Sequence, residues 1–127
     1  TGQFKLEALN ETVETIEKEI ATKAVYVAAI DDKIVGTVRL DFHDKEAYLS
    51  RFAVDQDNRN IGIGKALMNV VDKFLEANKI EKVTLHTASR HINLMRFYYS
   101  RGFFAEAIET DRGYLRARMV KEYCPVT

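Results

Sequence analysis

A chain of 127 residues holds one domain with a core of its own and is too short for two. Hydrophobic residues at 46% against 30% charged exclude the composition of a disordered chain. Nineteen Lys and Arg balance nineteen Asp and Glu, so no overall field draws the chain to nucleic acid or an anionic membrane, and neither is expected as a partner.

Val13, Ile16, Ile20 and Ala21, with Asn10 as cap and Glu11 and Glu14 in the first turn, predict an amphipathic helix over 10–22. The apolar run 24–30 is too short for a typical helix. It precedes Asp31-Asp32-Lys33 and then 34–42, where Ile34, Val38, Leu40 and Phe42 share one parity, so the two runs form a hairpin. A polar stretch around His43 leads to a third strand over 47–54, giving an antiparallel meander in the first half. From Ile63 the period changes: Ala66, Leu67, Val70, Val71 and Phe74 fall at helical spacing, and the pattern fades at Asn78. Val83 and Leu85 alternate with Thr84 and His86 in a strand over 82–87, which the helix crossover sets parallel to the strand before it. A second helix over 92–101 stops at Gly102. Strands over 103–109 and 114–123 flank the turn Thr110-Asp111-Arg112-Gly113.

The only cysteine, Cys124, excludes an intramolecular disulfide and a CxxC redox site, which fits a reducing compartment and a cytoplasmic location. Thr1 to Glu7 is polar and no apolar run is long, so neither signal peptide nor membrane span is expected. His43 and His91 lack partners at ligand spacing, and no metal site is assigned.

The chemistry concentrates in Arg59-Asn60-Ile61-Gly62-Ile63-Gly64, between the third strand and the long helix. Glycines there let backbone amides approach a ligand, and a helix start adds partial positive charge, so a diphosphate fits. A P-loop would need Gly at Arg59 and Ser or Thr at Ala66, and a dinucleotide fingerprint would need a third Gly near Leu67; both fail on residues. Taken alone, a GxG such as Gly62 and Gly64 also serves as a plain strand-to-helix turn.

Arg59, Gly62 and Gly64 after a strand, followed by Leu67, resemble motif A of the GNAT N-acetyltransferase superfamily. The helix containing Asn93, Leu94, Met95, Arg96, Phe97 and Tyr98, followed three residues after Tyr98 by Gly102-Phe103, resembles the family's next motif. The resemblance covers about residues 24 to 122 and implies an α/β (α+β) mixed-sheet GNAT acyltransferase fold. That fold is a mostly antiparallel sheet with two splayed parallel central strands flanked by helices, here with an abbreviated N-terminus, since one helix is visible where the family has a strand and two helices.

The resemblance implies acetyl-CoA as cosubstrate, wedged between the two parallel strands. The amides of Ile61, Gly62, Ile63, Gly64 and Lys65 would hold the pyrophosphate, with Arg59 and Asn60 in the same loop, and the pantetheine arm would run along the backbone of Phe52 and Val54. Where many relatives place an asparagine, this chain has His91, and Asn93 is the candidate replacement. Arg90, Arg96 and Arg101 are candidates for the 3′-phosphate.

The activity implied is direct attack of a primary amine on the thioester, with the Phe52 amide at the oxyanion and Tyr98 as the acid that protonates the leaving thiolate. Tyr99 points about 100° away on the helix and is not expected to share the role. For the base, a frequent family position holds Tyr48 rather than Glu; Glu46, acting through water, and His86 on the second splayed strand are the candidates, with His86 preferred. The alternative function is a non-catalytic acyl-CoA-binding or sensory module, and a third reading makes the chain one piece of a longer protein. In the family, the strand carrying Leu115, Ala117 and Met119 also pairs between subunits, which makes a homodimer an expectation.

Overall fold

The computed structural model describes residues 5–8, 22–56 and 62–123. The helix expected over 10–22 lies outside them, except that Thr22 opens a strand; Arg59, Asn60, Ile61 and Cys124 also lie outside.

The chain order is β1 (Lys5–Ala8), β2 (Thr22–Ile30), β3 (Lys33–His43), β4 (Glu46–Val54), α1 (Ile63–Ala77), β5 (Lys82–Ala88), α2 (Ile92–Ser100), β6 (Phe104–Glu109) and β7 (Arg116–Glu122). They build one seven-stranded sheet in the order β1-β2-β3-β4-β5-β7-β6. Among neighbouring strands only β4 and β5 run parallel, as the α1 crossover predicts; α2 makes a second crossover, from β5 to β6, and β7 inserts antiparallel to both. β1 is a strand the sequence reading did not find. Four residues that alternate lysine and glutamate with Leu6 and Ala8 give too little periodicity to register.

The β2–β3 turn has Asp31 at φ 52° and Asp32 at φ 67°. Two consecutive left-handed residues match the twist of the flanking strands, and aspartate tolerates that region better than most residues. The register shifts between Ala28 and Ala29, so β3 carries one extra residue at Val35. This overturns one expectation: Ile34, read as sharing the inward parity of Val38, Leu40 and Phe42, is 61% exposed, and Val35 is buried instead.

α1 buries Ile63, Leu67, Met68, Val71 and Leu75 against one sheet face. Spacing of three and four residues puts these on one stripe. Phe74, at its edge, meets Tyr26 and Phe42 with ring centroids 5.9 and 5.6 Å away. Leu40, Leu49, Val83, Leu85 and Met119 complete the core. Asp72 of α1 ties the far side together: it accepts from Arg101 at 2.8 Å, Lys121 at 3.0 Å and the Tyr123 hydroxyl at 2.5 Å. Among the described residues, no helix is long and apolar enough to cross a membrane.

Candidate active site

The parallel pairing of β4 with β5 covers three positions, Glu46↔Lys82, Ala47↔Val83 and Tyr48↔Thr84, and then stops. β4 continues for six more residues beside β3, while β5 stays paired with β7 along its whole length. The strands therefore splay into a wedge whose apex is Tyr48 and Thr84.

A bulge shapes the β4 arm of this wedge. Thr37 faces Ala53 and Arg39 faces Ser50, so β4 spends three steps where β3 spends two, and Arg51 takes φ 55° to absorb the extra residue. Phe52 consequently has no register partner in either neighbouring strand. The bulge also reverses parity: by residue number Phe52 belongs on the face of Tyr48, yet its ring lies on the α1 face with Val54. The register Gly36↔Val54 and the closeness of Gly36 to Ile63 and Leu67 fix that face.

α1 begins on the same side. Its cap residue Gly62 sits at φ 86°, a left-handed conformation that glycine adopts without penalty. Among the described residues, no side chain caps the helix and no acidic residue stands in its first turn, so they place no anion at the positive end of the helix. Gly64 rests on β4: a Cβ there would lie 3.2 Å from Phe52 Cζ and 3.7 Å from Val54 Cγ2.

Between these elements lies a cavity of about 520 Å³ lined by Phe52, Val54, Gly62, Gly64, Lys65 and, from α2, His91, Asn93, Leu94 and Phe97. Its volume suits a ligand of cofactor size. His91 caps α2, its Nδ1 accepting from the Leu94 N–H at 3.3 Å, which holds the imidazole at the cleft rim. Asn93 lines the same rim, so both residues weighed for one cofactor contact are at the cleft. Arg96 is exposed on α2 and does not line it. Arg101 is committed elsewhere, bonded to Asn69 and Asp72, which removes it as a phosphate partner.

Tyr98 is 4% exposed and Tyr99 is 50% exposed. The Tyr98 ring packs on Phe97 and Phe103, each with centroids 5.6 Å away, and on Phe52 at 6.2 Å. Burial pushes its hydroxyl up to about 12, so it stays protonated through the neutral range. Phe52 and Phe97 stack at 5.6 Å and line the cavity, while Tyr98 packs directly behind them and is not itself among the lining residues.

On the opposite sheet face His86 takes part in a network the sequence did not show. Its Nδ1 lies 2.6 Å from the Tyr48 hydroxyl and its Nε2 2.9 Å from Glu109 Oε1. Arg116 and Arg118 of β7 flank Glu109 at 3.5 and 3.3 Å. Burial raises the Tyr48 hydroxyl above its ordinary range, with Arg116 and Arg112 opposing. Glu46 is exposed at the start of β4, beside Lys82 in register. Glu109 follows His86 by 23 residues and β7 lies between their strands, so only the sheet order brings them together.

Similar proteins agree with this architecture. Human N-acetyltransferase 8B is 32% identical over 84 residues, covering 61% of this chain and 37% of that protein. N-acetylaspartate synthetase of Xenopus tropicalis is 35% identical over 80 residues, covering 61% and 30%. The chain thus spans only about a third of the length of these curated relatives. Among solved structures, the ribosomal-protein-S18-alanine N-acetyltransferase of Escherichia coli superposes with a TM-score of 0.79 at 16% identity, covering 98% of this chain and 97% of that one. The PaiA N-acetyltransferase of Thermoplasma acidophilum, solved with coenzyme A, gives 0.73 at 22% identity, covering 86% and 65%. A family model matches residues 3–103, most of the chain and both glycine-bearing motifs: this chain belongs to the acetyltransferase (GNAT) family.

Proposed function

We propose that the chain is an N-acetyltransferase that uses acetyl-CoA as cosubstrate and passes the acetyl group to a primary amine through a tetrahedral intermediate. The observation that carries this reading is the wedge between β4 and β5 opening beside the glycine-bearing start of α1, with a cavity of about 520 Å³ there. The residues fit the ligand: Gly62 and Gly64 keep side chains off the helix start, and Lys65 lines the cavity at that end. The amides of Ile63, Gly64 and Lys65 would hold the pyrophosphate there, a role the sequence also suggests for Arg59, Asn60 and Ile61, which lie outside the described residues. The stacked Phe52 and Phe97 rings and Val54 give the acyl arm an apolar wall.

Neutralising an alkylammonium of pKa near 10 at pH 7 costs about 4 kcal/mol, so a base must assist. His86, two residues beyond the wedge apex on β5 and bonded to Tyr48 and Glu109, takes that role in preference to the exposed Glu46. Phe52, bulged out of register with both neighbours, offers its amide to the developing oxyanion. Tyr98, held protonated by burial, returns a proton to the leaving thiolate.

The test is titration of the protein with coenzyme A, followed by thiol release from acetyl-CoA across a panel of small amines, polyamines, aminoglycosides and peptide N-termini. Saturable binding with amine-dependent release is expected. Binding without release for any amine would favour a non-catalytic acyl-CoA module, and absence of binding would end the proposal.

A further inference from the structure

We propose that Glu109, His86 and Tyr48 form a proton relay, in which Glu109 positions the imidazole and the Tyr48 hydroxyl is the group that meets the acceptor amine. This rests on the acetyl-transfer reading above and assigns roles to two residues outside it.

The network has one arrangement that satisfies both contacts with a neutral ring. The Glu109 carboxylate only accepts, so the imidazole nitrogen 2.9 Å from it, Nε2, carries the hydrogen. Nδ1 is then the acceptor, and the Tyr48 O–H donates to it over 2.6 Å. Glu109 does not drift from this position, because Arg116 and Arg118 flank it from β7, and Arg116 is anchored in turn by Asp111 at 3.2 Å. The His86 side chain is only 17% exposed, which shields the bond to Glu109 from water. Tyr48 is the outermost member and, with Thr84, closes the last β4–β5 pair before the strands part. Its hydroxyl retains lone pairs for an incoming N–H.

The proton step balances without a phenolate. An N–H bond of the acceptor ammonium breaks as its proton bonds to the Tyr48 oxygen. The original Tyr48 O–H bond breaks as that proton bonds to His86 Nδ1. The amine is left neutral and nucleophilic, the phenol is neutral before and after, and the imidazolium faces the Glu109 carboxylate. Burial of Tyr48, which disfavours its anion, is therefore compatible with the role. The titratable and charged groups on this side of the sheet are Asp41 and Arg39 from β3, Asp41 being the register partner of Tyr48, Glu46 from β4, Glu109 from β6, Arg116 and Arg118 from β7, and Arg112, Tyr114 and Asp111 from the intervening turn. Arg116 and Arg118 lie against Glu109, so the negative end of the relay is fixed.

Nitrogen-15 NMR of the imidazoles reads the tautomer without any turnover, His86 being identified by its loss in His86→Gln. The Nε2–H form is expected in the wild type and a mixture in Glu109→Ala. Tyr48→Phe and Glu109→Gln should each lower kcat about tenfold or more with coenzyme A affinity retained. Glu109→Asp, which keeps a carboxylate facing the ring, should recover part of the kcat lost in Glu109→Gln. A thermal melt beside each assay separates loss of fold from loss of relay. An Nδ1–H ring in the wild type, or Tyr48→Phe with unchanged kcat in a protein that transfers acetyl groups, would overturn the relay alone. A wild type with no affinity for coenzyme A would instead overturn the acetyl-transfer reading.

Discussion

Gly64 lies against Phe52 so closely that a Cβ would stand 3.2 Å from the Phe52 ring, making the first turn of α1 and the bulged end of β4 two walls of one cleft. The closest atom is the tip of a side chain, which can give a few tenths of an ångström. Gly64→Ala should therefore weaken coenzyme A binding only a few-fold. Gly64→Val, with two more methyl groups directed at Phe52, Val54 and Phe97, should weaken it by about tenfold or more, since overpacking costs about 1–3 kcal/mol. Calorimetric titration of both variants, with circular dichroism to confirm the fold, checks the gradation; equal affinities would show that the cleft does not hold the cofactor.

Adjacent tyrosines on α2 separate chemistry from surface. Tyr98→Phe keeps the ring that packs on Phe52, Phe97 and Phe103 and removes only the hydroxyl, so kcat should fall by about tenfold or more with stability nearly unchanged. Tyr99→Phe, on an exposed side chain, should be silent in both. Steady-state kinetics on the two variants side by side decide the assignment.

The same hydroxyl leaves a mark on alkaline stability. Its pKa is 10.0 in an unfolded chain and about 12 in the fold, so the folded state holds the proton more tightly. That contribution is fully present below pH 10 and is lost as pH rises through 12. Denaturant midpoints measured from pH 9 to 12 should fall less steeply for Tyr98→Phe than for the wild type.

His86→Gln should depress kcat/KM most at mildly acidic to neutral pH, where an amine needs help to lose its proton. The deficit should narrow as pH approaches the pKa of the acceptor, near 10, where solvent supplies the free base. A pH–rate profile parallel to the wild type would remove His86 from the proton path.

Asp72 is a prediction about folding rather than chemistry. It accepts from Arg101, Lys121 and Tyr123, joining α1 to the end of α2 and to the residues around β7. Asp72→Ala leaves two half-buried cations without their carboxylate and should cost about 3 kcal/mol. Urea denaturation should show the loss, while coenzyme A affinity of the folded fraction stays within a few-fold of the wild type.

Features set by neighbours along the chain were legible in the sequence. Asp31-Asp32 marks a hairpin because its φ values depend on local sterics, and the α1 stripe from Ile63 to Leu75 follows from 3.6 residues per turn. The paired glycines and Tyr98 with Gly102-Phe103 carried the resemblance because a close backbone approach and a helix stop are local demands. What required the tertiary structure was everything that depends on register between distant segments. The extra residues at Val35 and beside Arg51 reverse which side chains face inward, and no alternation count foresees a bulge that pairing imposes. Glu109 meets His86 only because β7 inserts between β5 and β6 and the charged ends converge across it, a matter of hydrogen-bonded strand order. The sequence alone thus determined the elements from β2 to β7 and the glycine-bearing turn before α1, whose causes lie within a few residues. The tertiary structure decided the wedge, the face on which Phe52 lies and the partners of His86, whose causes lie in pairing across the sheet.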